Sequence, residues 1–231
     1  MESHVKRVEK MAAIGEMAAG LAHEIKNPLA SLRGSIQLLN DCMKYDADIE
    51  KLIKIILRET DRLNLLVNDF LLFAKPPIGK LEKIDLNKVI SEIIELFKKN
   101  SNLFSKKISI IKNIEQNIFI EFDLGHLHQI IWNLLLNAAE AVQNNQSGGL
   151  IEINIFTAKS KQIAIQVKDN GCGIPEDLIK SIFDPFFTTK QNGTGLGLSI
   201  VHRIIQYYDA FFDVKSHVNK GSTFTLNLKQ L

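Results

Sequence analysis

The sequence predicts a multidomain chain. Residues 1–77 read as an all-α helical hairpin suited to a dimeric four-helix bundle, and residues 78–231 as an α+β two-layer sandwich. Three observations carry this division. The apolar residues before Lys75 recur at helical steps of three and four. The run Lys75-Pro76-Pro77-Ile78-Gly79 then interrupts them, because proline lacks a backbone donor and clashes with the preceding turn. After it, β-branched runs with strand-like alternation appear between helical stretches.

In the first part, Ile14, Ala18, Leu21, Ile25, Pro28, Leu32 and Leu39 form one seam, with Ser35 its polar interruption. Ile49, Ile53, Ile56, Thr60, Leu63, Val67, Phe70 and Ala74 form a second. Tyr45-Asp46-Ala47-Asp48 lies between them as a short polar break offering N-cap side chains. This gives two long antiparallel helices, the first of roughly 40 residues and about 60 Å. Ile55, Leu66 and Phe73 widen the second stripe beyond what one neighbour covers. A second copy of the chain completing a four-helix bundle would bury it.

In the second part, strands are expected at Lys107–Ile114, Ile118–Phe122, Leu150–Thr157, Gln162–Lys168, Phe211–His217 and Ser222–Leu228. Helices are expected at Leu86–Lys99, Leu124–Asn144, Glu176–Ile182 and Leu196–Tyr207. The two types mix without regular βαβ alternation, which favours one sheet covered by helices over a doubly wound fold.

Bulk composition excludes several classes. Of 231 residues, 45% are hydrophobic and 23% charged, an ordinary globular balance. A net charge of +2 without a dense basic patch does not suit a nucleic-acid surface. No apolar run approaches the ~20 residues that span a bilayer. Cys42 and Cys172 lie far apart and outside any CxxC pattern, so a reducing cytoplasm is the expected setting.

Five segments carry chemistry. Leu21-Ala22-His23-Glu24-Ile25-Lys26-Asn27-Pro28-Leu29 sets an ionisable nucleophile beside a carboxylate, an amide and a helix-bending proline. Asn133 and Asn137 are four residues apart in a strong helix pattern, so both amides share one face. An amide oxygen suits a hard cation shared with phosphates, although two amides can also simply be solvated. Asp169-Asn170-Gly171-Cys172-Gly173-Ile174 follows a strand. Its carboxylate suits a ligand with an N–H donor and its glycines allow close approach, although Asp-Asn-Gly is also a plain β-turn. Phe183-Asp184-Pro185-Phe186-Phe187-Thr188-Thr189-Lys190 is either an aromatic core segment or the base of a lid whose lysine reaches a terminal phosphate. Gly193-Thr194-Gly195-Leu196-Gly197-Leu198 opens a helix, where free N–H groups bind phosphate oxygens.

In this order and spacing the segments closely resemble the sensor histidine kinases of two-component signalling. The His23 segment resembles the H-box, with wording nearest the nitrogen-regulation sensors. Asn133–Ala141 resembles the N-box, Asp169–Ile174 the first glycine box, Phe183–Lys190 the F-box and Gly193–Leu198 the second glycine box. The resemblance runs from about Ile14 to Leu228. It implies a dimerisation and phosphotransfer hairpin followed by an ATP-binding domain of the GHKL (Bergerat) fold, with ATP and Mg2+ as ligands. Asp169 would bind the adenine amino group, with Gly171 and Gly173 beside it. Asn137 would ligate magnesium and Asn133 would support the metal and phosphates. Gly193, Thr194, Gly195, Leu196 and Gly197 would line the phosphate lid, and Lys190 would meet the terminal phosphate.

Related ATPases of this fold carry a glutamate four residues before the metal-binding asparagine, where it activates water. This chain has Asn133 there. An amide takes no proton at neutral pH, so transfer to protein is favoured over hydrolysis. A non-transferring ATP-responsive scaffold is the remaining alternative, against which the intact H-box argues. If Ala18 and Ile25 are a positions and Leu21 is d, His23 falls at the outermost position f, with Asn27 on its face. Glu24 would accept one imidazole proton while the other nitrogen attacks, and Pro28 would weaken the turn at Glu24. Asn27 would orient a water against a partner's phospho-aspartate. Expected partners are a second copy of the chain and the receiver domain of a response regulator, with no nucleic acid. Membrane contact is expected only through an N-terminal sensor region outside these residues.

Overall fold

Two units build the chain, Met1–Pro77 and Ile78–Leu231. The computed structural model describes residues 25–39, 47–74, 79–99, 108–143, 145, 148–158, 162–190 and 193–229. The expected first half of the first helix, with His23 and Glu24, lies outside them, as does the polar break at Tyr45–Asp46.

In the first unit, helix α1 (25–39) and helix α2 (Ala47–Ala74) are joined by an ion pair, Arg33 Nη1 to Asp61 Oδ1 at 2.6 Å. Leu29 and Ile53 are buried, as is Thr60, whose hydroxyl donates to the Ile56 carbonyl at 2.8 Å. The structure divides the seams read from sequence. Ile53 and Thr60, seven residues apart, point inward, while Ile49, Ile56 and Leu63, also seven apart, stay exposed. Ile25, Leu32 and Leu39 on α1 are exposed as well. Leu29, outside the predicted seam, is the α1 residue that is buried. The side chains of Leu66, Phe70 and Phe73 lie outside the described set.

The second unit runs β1 (Glu82–Asp85), α3 (Leu86–Lys99), β2 (Ile108–Ile114), β3 (Phe119–Phe122), α4 (Leu124–Val142), β4 (Gly149–Ala158) and β5 (Gln162–Asp169). It continues through α5 (Gly197–Tyr207), β6 (Phe211–His217) and β7 (Gly221–Lys229). The main sheet has the order β2-β4-β5-β7-β6, and β1 pairs with β3 in a separate antiparallel ribbon. Only β2 and β4 run parallel; the other main-sheet pairs are antiparallel. A parallel pair needs a crossover, and β3 with α4 supplies it.

Strict alternation explains the core. In β4, Ile151, Ile153 and Ile155 are buried while Leu150, Glu152 and Asn154 are partly exposed. Register then builds cross-sheet rows: Ile155 opposite Ile165 and Ile165 opposite Leu226; Ile153 opposite Val167 and Val167 opposite Phe224. Burying each such side chain contributes roughly 1.5–3 kcal/mol. Helix α4 covers this face with Ile130, Ile131, Leu134 and Leu135, all almost fully buried, while Phe97 of α3 packs edge-on to Trp132. Asp123 caps α4 by accepting from the His126 N–H at 2.8 Å, and its other oxygen accepts from the Lys80 N–H at 2.7 Å.

One expected helix is corrected. Glu176–Ile182 forms two 3-10 turns, Glu176–Leu178 and Ser181–Phe183, rather than one α-helix. Seven residues following Pro175 give too few hydrogen bonds to offset the cost of nucleation. The expected strand at Ile118–Phe122 forms as β3, whereas its partner β1 was not legible in advance, because Glu82–Asp85 carries a single apolar residue and shows no alternation.

Candidate functional site

The period-2 pattern of β5 places the first site residue. Ile163, Ile165, Val167 and Asp169 alternate along one buried face, so the carboxylate of Asp169 ends a row of core side chains at 4% exposure. Two backbone donors compensate it. Its Oδ1 accepts from the N–H of Gly171 at 2.8 Å and from the N–H of Ser222 at 3.3 Å. Among the described residues no donor reaches Oδ2, so that oxygen is left for a ligand N–H. Burial pushes the Asp169 carboxyl above the ordinary carboxylate value, against the two N–H groups and the charge of Lys190. Gly173 follows in the bend after β5, where the N–H of Asn219 donates to the Cys172 carbonyl at 2.7 Å.

Asn170 pins this loop instead of joining the ligand face. Its Oδ1 accepts from Leu150 N at 2.8 Å and its Nδ2 donates to the Gly148 carbonyl at 3.2 Å. The Cys172 N–H donates to the Ala141 carbonyl at 3.2 Å, which ties the same loop to the end of α4.

Helix α4 supplies the amides. Asn133 is buried and donates through Nδ2 to the Gln129 carbonyl at 3.0 Å, one turn back. That bond turns its Oδ1 toward the start of α5. A Cβ on Gly197 would come within 3.1 Å of this oxygen, so glycine lets the helix start approach the amide. Helix α5 has no side-chain cap, and its first N–H groups are therefore available to an anion.

Asn137, one turn further along α4, is half-buried. Its Oδ1 accepts from Lys190 Nζ at 3.0 Å, and the same ammonium donates to the Glu140 carboxylate. The loop that carries Lys190 is closed by its own backbone. Thr188 Oγ1 accepts from Lys190 N at 3.1 Å, and Gly193 N donates to the Lys190 carbonyl at 3.3 Å. Gly195 has φ +68°, and a Cβ there would collide with the Phe186 backbone, whose N–H donates to the Gly195 carbonyl at 3.0 Å. Thr194 Oγ1 accepts from Leu196 N at 3.2 Å. The Leu196 side chain is buried in the core, at 1% exposure. Phe183 anchors the segment by stacking on His202 at 5.1 Å and meeting Phe212 edge-on at 5.9 Å.

Asn133 thus faces Gly197 and Asn137 accepts from Lys190, the two amides standing one turn apart on α4, while Asp169 ends β5 with Gly171 beside it. In the first unit, Asn27 is exposed on α1, and nothing described concerns its neighbours His23 and Glu24. Sequence reading assigned no role to Ser222 or Glu140. Ser222 acts through its backbone and carries no sequence signal. Glu140 stands three residues after Asn137 on the same helix face, a spacing that was available to find it.

A buried carboxylate with one free oxygen, two amides on a helix and an uncapped helix start offer the acceptor and donors that a nucleotide needs. The family profile "Histidine kinase-, DNA gyrase B-, and HSP90-like ATPase" matches residues 122–231, and "His Kinase A (phospho-acceptor) domain" matches residues 13–77. Sensor histidine kinase ZraS of Escherichia coli (strain K12) is 36% identical over 227 residues, 98% of this chain and 48% of that protein. The structure of full-length ShkA in complex with AMPPNP matches 93% of this chain and 46% of that one, at 26% identity and a TM-score of 0.79. Histidine kinase ThkA, in complex with the response regulator protein TrrA, matches all of this chain and 66% of that one, at 30% identity and a TM-score of 0.69. The chain belongs to the sensor histidine kinases of two-component systems. It spans about half or less of the curated relatives it matches, 48% of ZraS and 36% of AtoS from the same strain. No described helix is long and apolar enough to cross a membrane.

Proposed function

We propose that the chain is a kinase core that uses ATP to phosphorylate its own His23 and passes the phosphoryl group to an aspartate of a response regulator. The observation that carries this reading is Asn133. It stands beside the α5 start where a hydrolase of this fold needs a carboxylate to activate water, and its amide cannot take a proton. A histidine acceptor needs no such base.

The residues divide the work. Asp169 offers its free oxygen to the adenine amino group, which requires the ionised carboxylate. The uncapped N–H groups of α5 and the loop from Gly193 to Gly197 take phosphate oxygens. Magnesium fits beside Asn137, because that amide oxygen already accepts from a cationic ammonium. Among the described residues no group of three or more His, Cys, Asp and Glu is placed to hold a metal ion. The ion would draw its other ligands from phosphates and water. When bound it would neutralise charge on the phosphates; Asn137 would hold it and Asn133 would support the arrangement. A nitrogen of His23 attacks the γ-phosphorus as Glu24 accepts the proton from the other ring nitrogen. A P–N bond forms, the bond from γ-phosphorus to the bridging oxygen breaks, and ADP leaves.

The exposed stripe of Ile25, Leu32 and Leu39 on α1 with Ile49, Ile56 and Leu63 on α2 supports a homodimeric four-helix bundle. The ThkA–TrrA complex supports a receiver domain as partner. The exposed amide of Asn27, four residues after His23 in sequence, supports a second activity, hydrolysis of the partner's phospho-aspartate.

Incubation with γ-labelled ATP and magnesium tests the kinase. An acid-labile label that disappears in His23→Gln is expected. Nucleotide binding without label in the wild type points to a scaffold, and steady phosphate release that survives His23→Gln points to a hydrolase. Asn27→Ala is expected to lose phosphatase activity and keep labelling; loss of both makes Asn27 structural.

A further inference from the structure

The carboxylate of Glu140 is out of place in a phosphate site. It lies three residues after Asn137 on the same face of α4, where a triphosphate and a negative side chain would repel each other. Its partner explains it. The Lys190 ammonium is shared between Glu140 and the Asn137 amide oxygen, the latter at 3.0 Å. The Lys190 backbone is meanwhile fixed in the Thr188–Gly193 turn. The ammonium therefore clips the loop before α5 onto α4.

Both ends of the ion pair are well exposed, 40% for Lys190 and 51% for Glu140, so the clip adds little to folding and opens readily. An oxygen that ligates a divalent cation cannot keep an ammonium at hydrogen-bond distance without strong repulsion. The two cations compete for Asn137.

We propose that Glu140 is a positioning residue that parks the Lys190 ammonium on Asn137 in the nucleotide-free protein, so that loading with magnesium nucleotide exchanges one cation for another at one amide oxygen. The displaced lysine, still tethered by its turn, becomes available to the terminal phosphate. Glu140 thereby sets the magnesium concentration at which the loop opens for nucleotide. This inference rests on the nucleotide reading above.

A double-mutant cycle on the full chain tests it, with Glu140→Gln, Lys190→Gln and the double variant. The first readout is amide hydrogen exchange without nucleotide. Phe186–Lys190 should exchange about threefold faster in either single variant, and no faster in the double variant. The second is the magnesium concentration giving half-maximal binding of a fluorescent ATP analogue. Glu140→Gln should lower it about threefold in the wild-type background and leave it unchanged in the Lys190→Gln background. Unchanged exchange in Glu140→Gln overturns the clip. An equal effect of Glu140→Gln in both backgrounds overturns the parking role, since the carboxylate would then act directly on the phosphates. If the wild type binds no analogue at all, the nucleotide reading fails and the cation exchange fails with it. Hydrogen exchange still decides the clip in that case.

Discussion

The hairpin and the catalytic unit treat their apolar residues in opposite ways. Rows such as Ile155–Ile165–Leu226 in the sheet are closed to water within one chain. In the hairpin, Leu29, Ile53 and Thr60 are buried while Ile25, Leu32, Ile49, Ile56 and Leu63 remain exposed. Both patterns are regular. The difference is that a two-layer unit supplies both sides of its core, whereas the two helices leave one apolar stripe in water. The proposed four-helix bundle would cover that stripe with a second copy.

Substitutions can break that contrast. The largest effect on stability is expected at Leu226→Ala, about 2–5 kcal/mol by chemical denaturation, because the sheet row cannot collapse onto the cavity. A cost under about 1 kcal/mol would mean the core is loosely packed. Next is Asp169→Asn, whose amide oxygen can keep the Gly171 and Ser222 N–H bonds while its NH2 faces the adenine amino group. Nucleotide affinity should fall about 100-fold, or about 2.7 kcal/mol, with thermal stability held or raised. A stability loss instead would make Asp169 a structural residue. Asp123→Ala, which removes the α4 cap, should cost about 1 kcal/mol. Ile56→Ala should cost the monomer under about 0.5 kcal/mol while raising the dimer dissociation constant, measured by analytical ultracentrifugation. An unchanged dissociation constant would remove Ile56 from the interface.

Asp169 also gives the sharpest pH prediction. Its native pKa is raised above 3.8. Between 3.8 and the raised value the native state therefore binds more protons than the unfolded state, and this group's contribution to stability declines as pH rises through that window. Nucleotide affinity runs the other way. It should fall as acidification protonates the carboxylate, beginning at a higher pH than for an ordinary aspartate. Affinity that stays flat through this window would exclude an ionised Asp169 as the adenine acceptor.

Much of the candidate site was legible because its residue types are chemically restrictive. A short acid at a strand end, paired amides one turn apart and glycines opening a helix each suit the part proposed for them. The main-sheet strands were legible for a similar reason, since alternation in β4 and β7 records which side is wet. The two 3-10 turns at Glu176–Phe183 were not, because apolar spacing reports which face is buried and says nothing of whether the segment is long enough to nucleate a helix.

By itself the sequence determined the order of the parts, the break at Lys75–Gly79 and the candidate reactive groups, because each is a property of local spacing and side-chain chemistry. Only the tertiary structure decided which half of the heptad pattern the hairpin buries, which backbone donors compensate Asp169, and where Lys190 rests. Those outcomes depend on segments far apart in the chain meeting in space. Lys190 and Glu140 are separated by 50 residues, and no local pattern records that one neutralises the other.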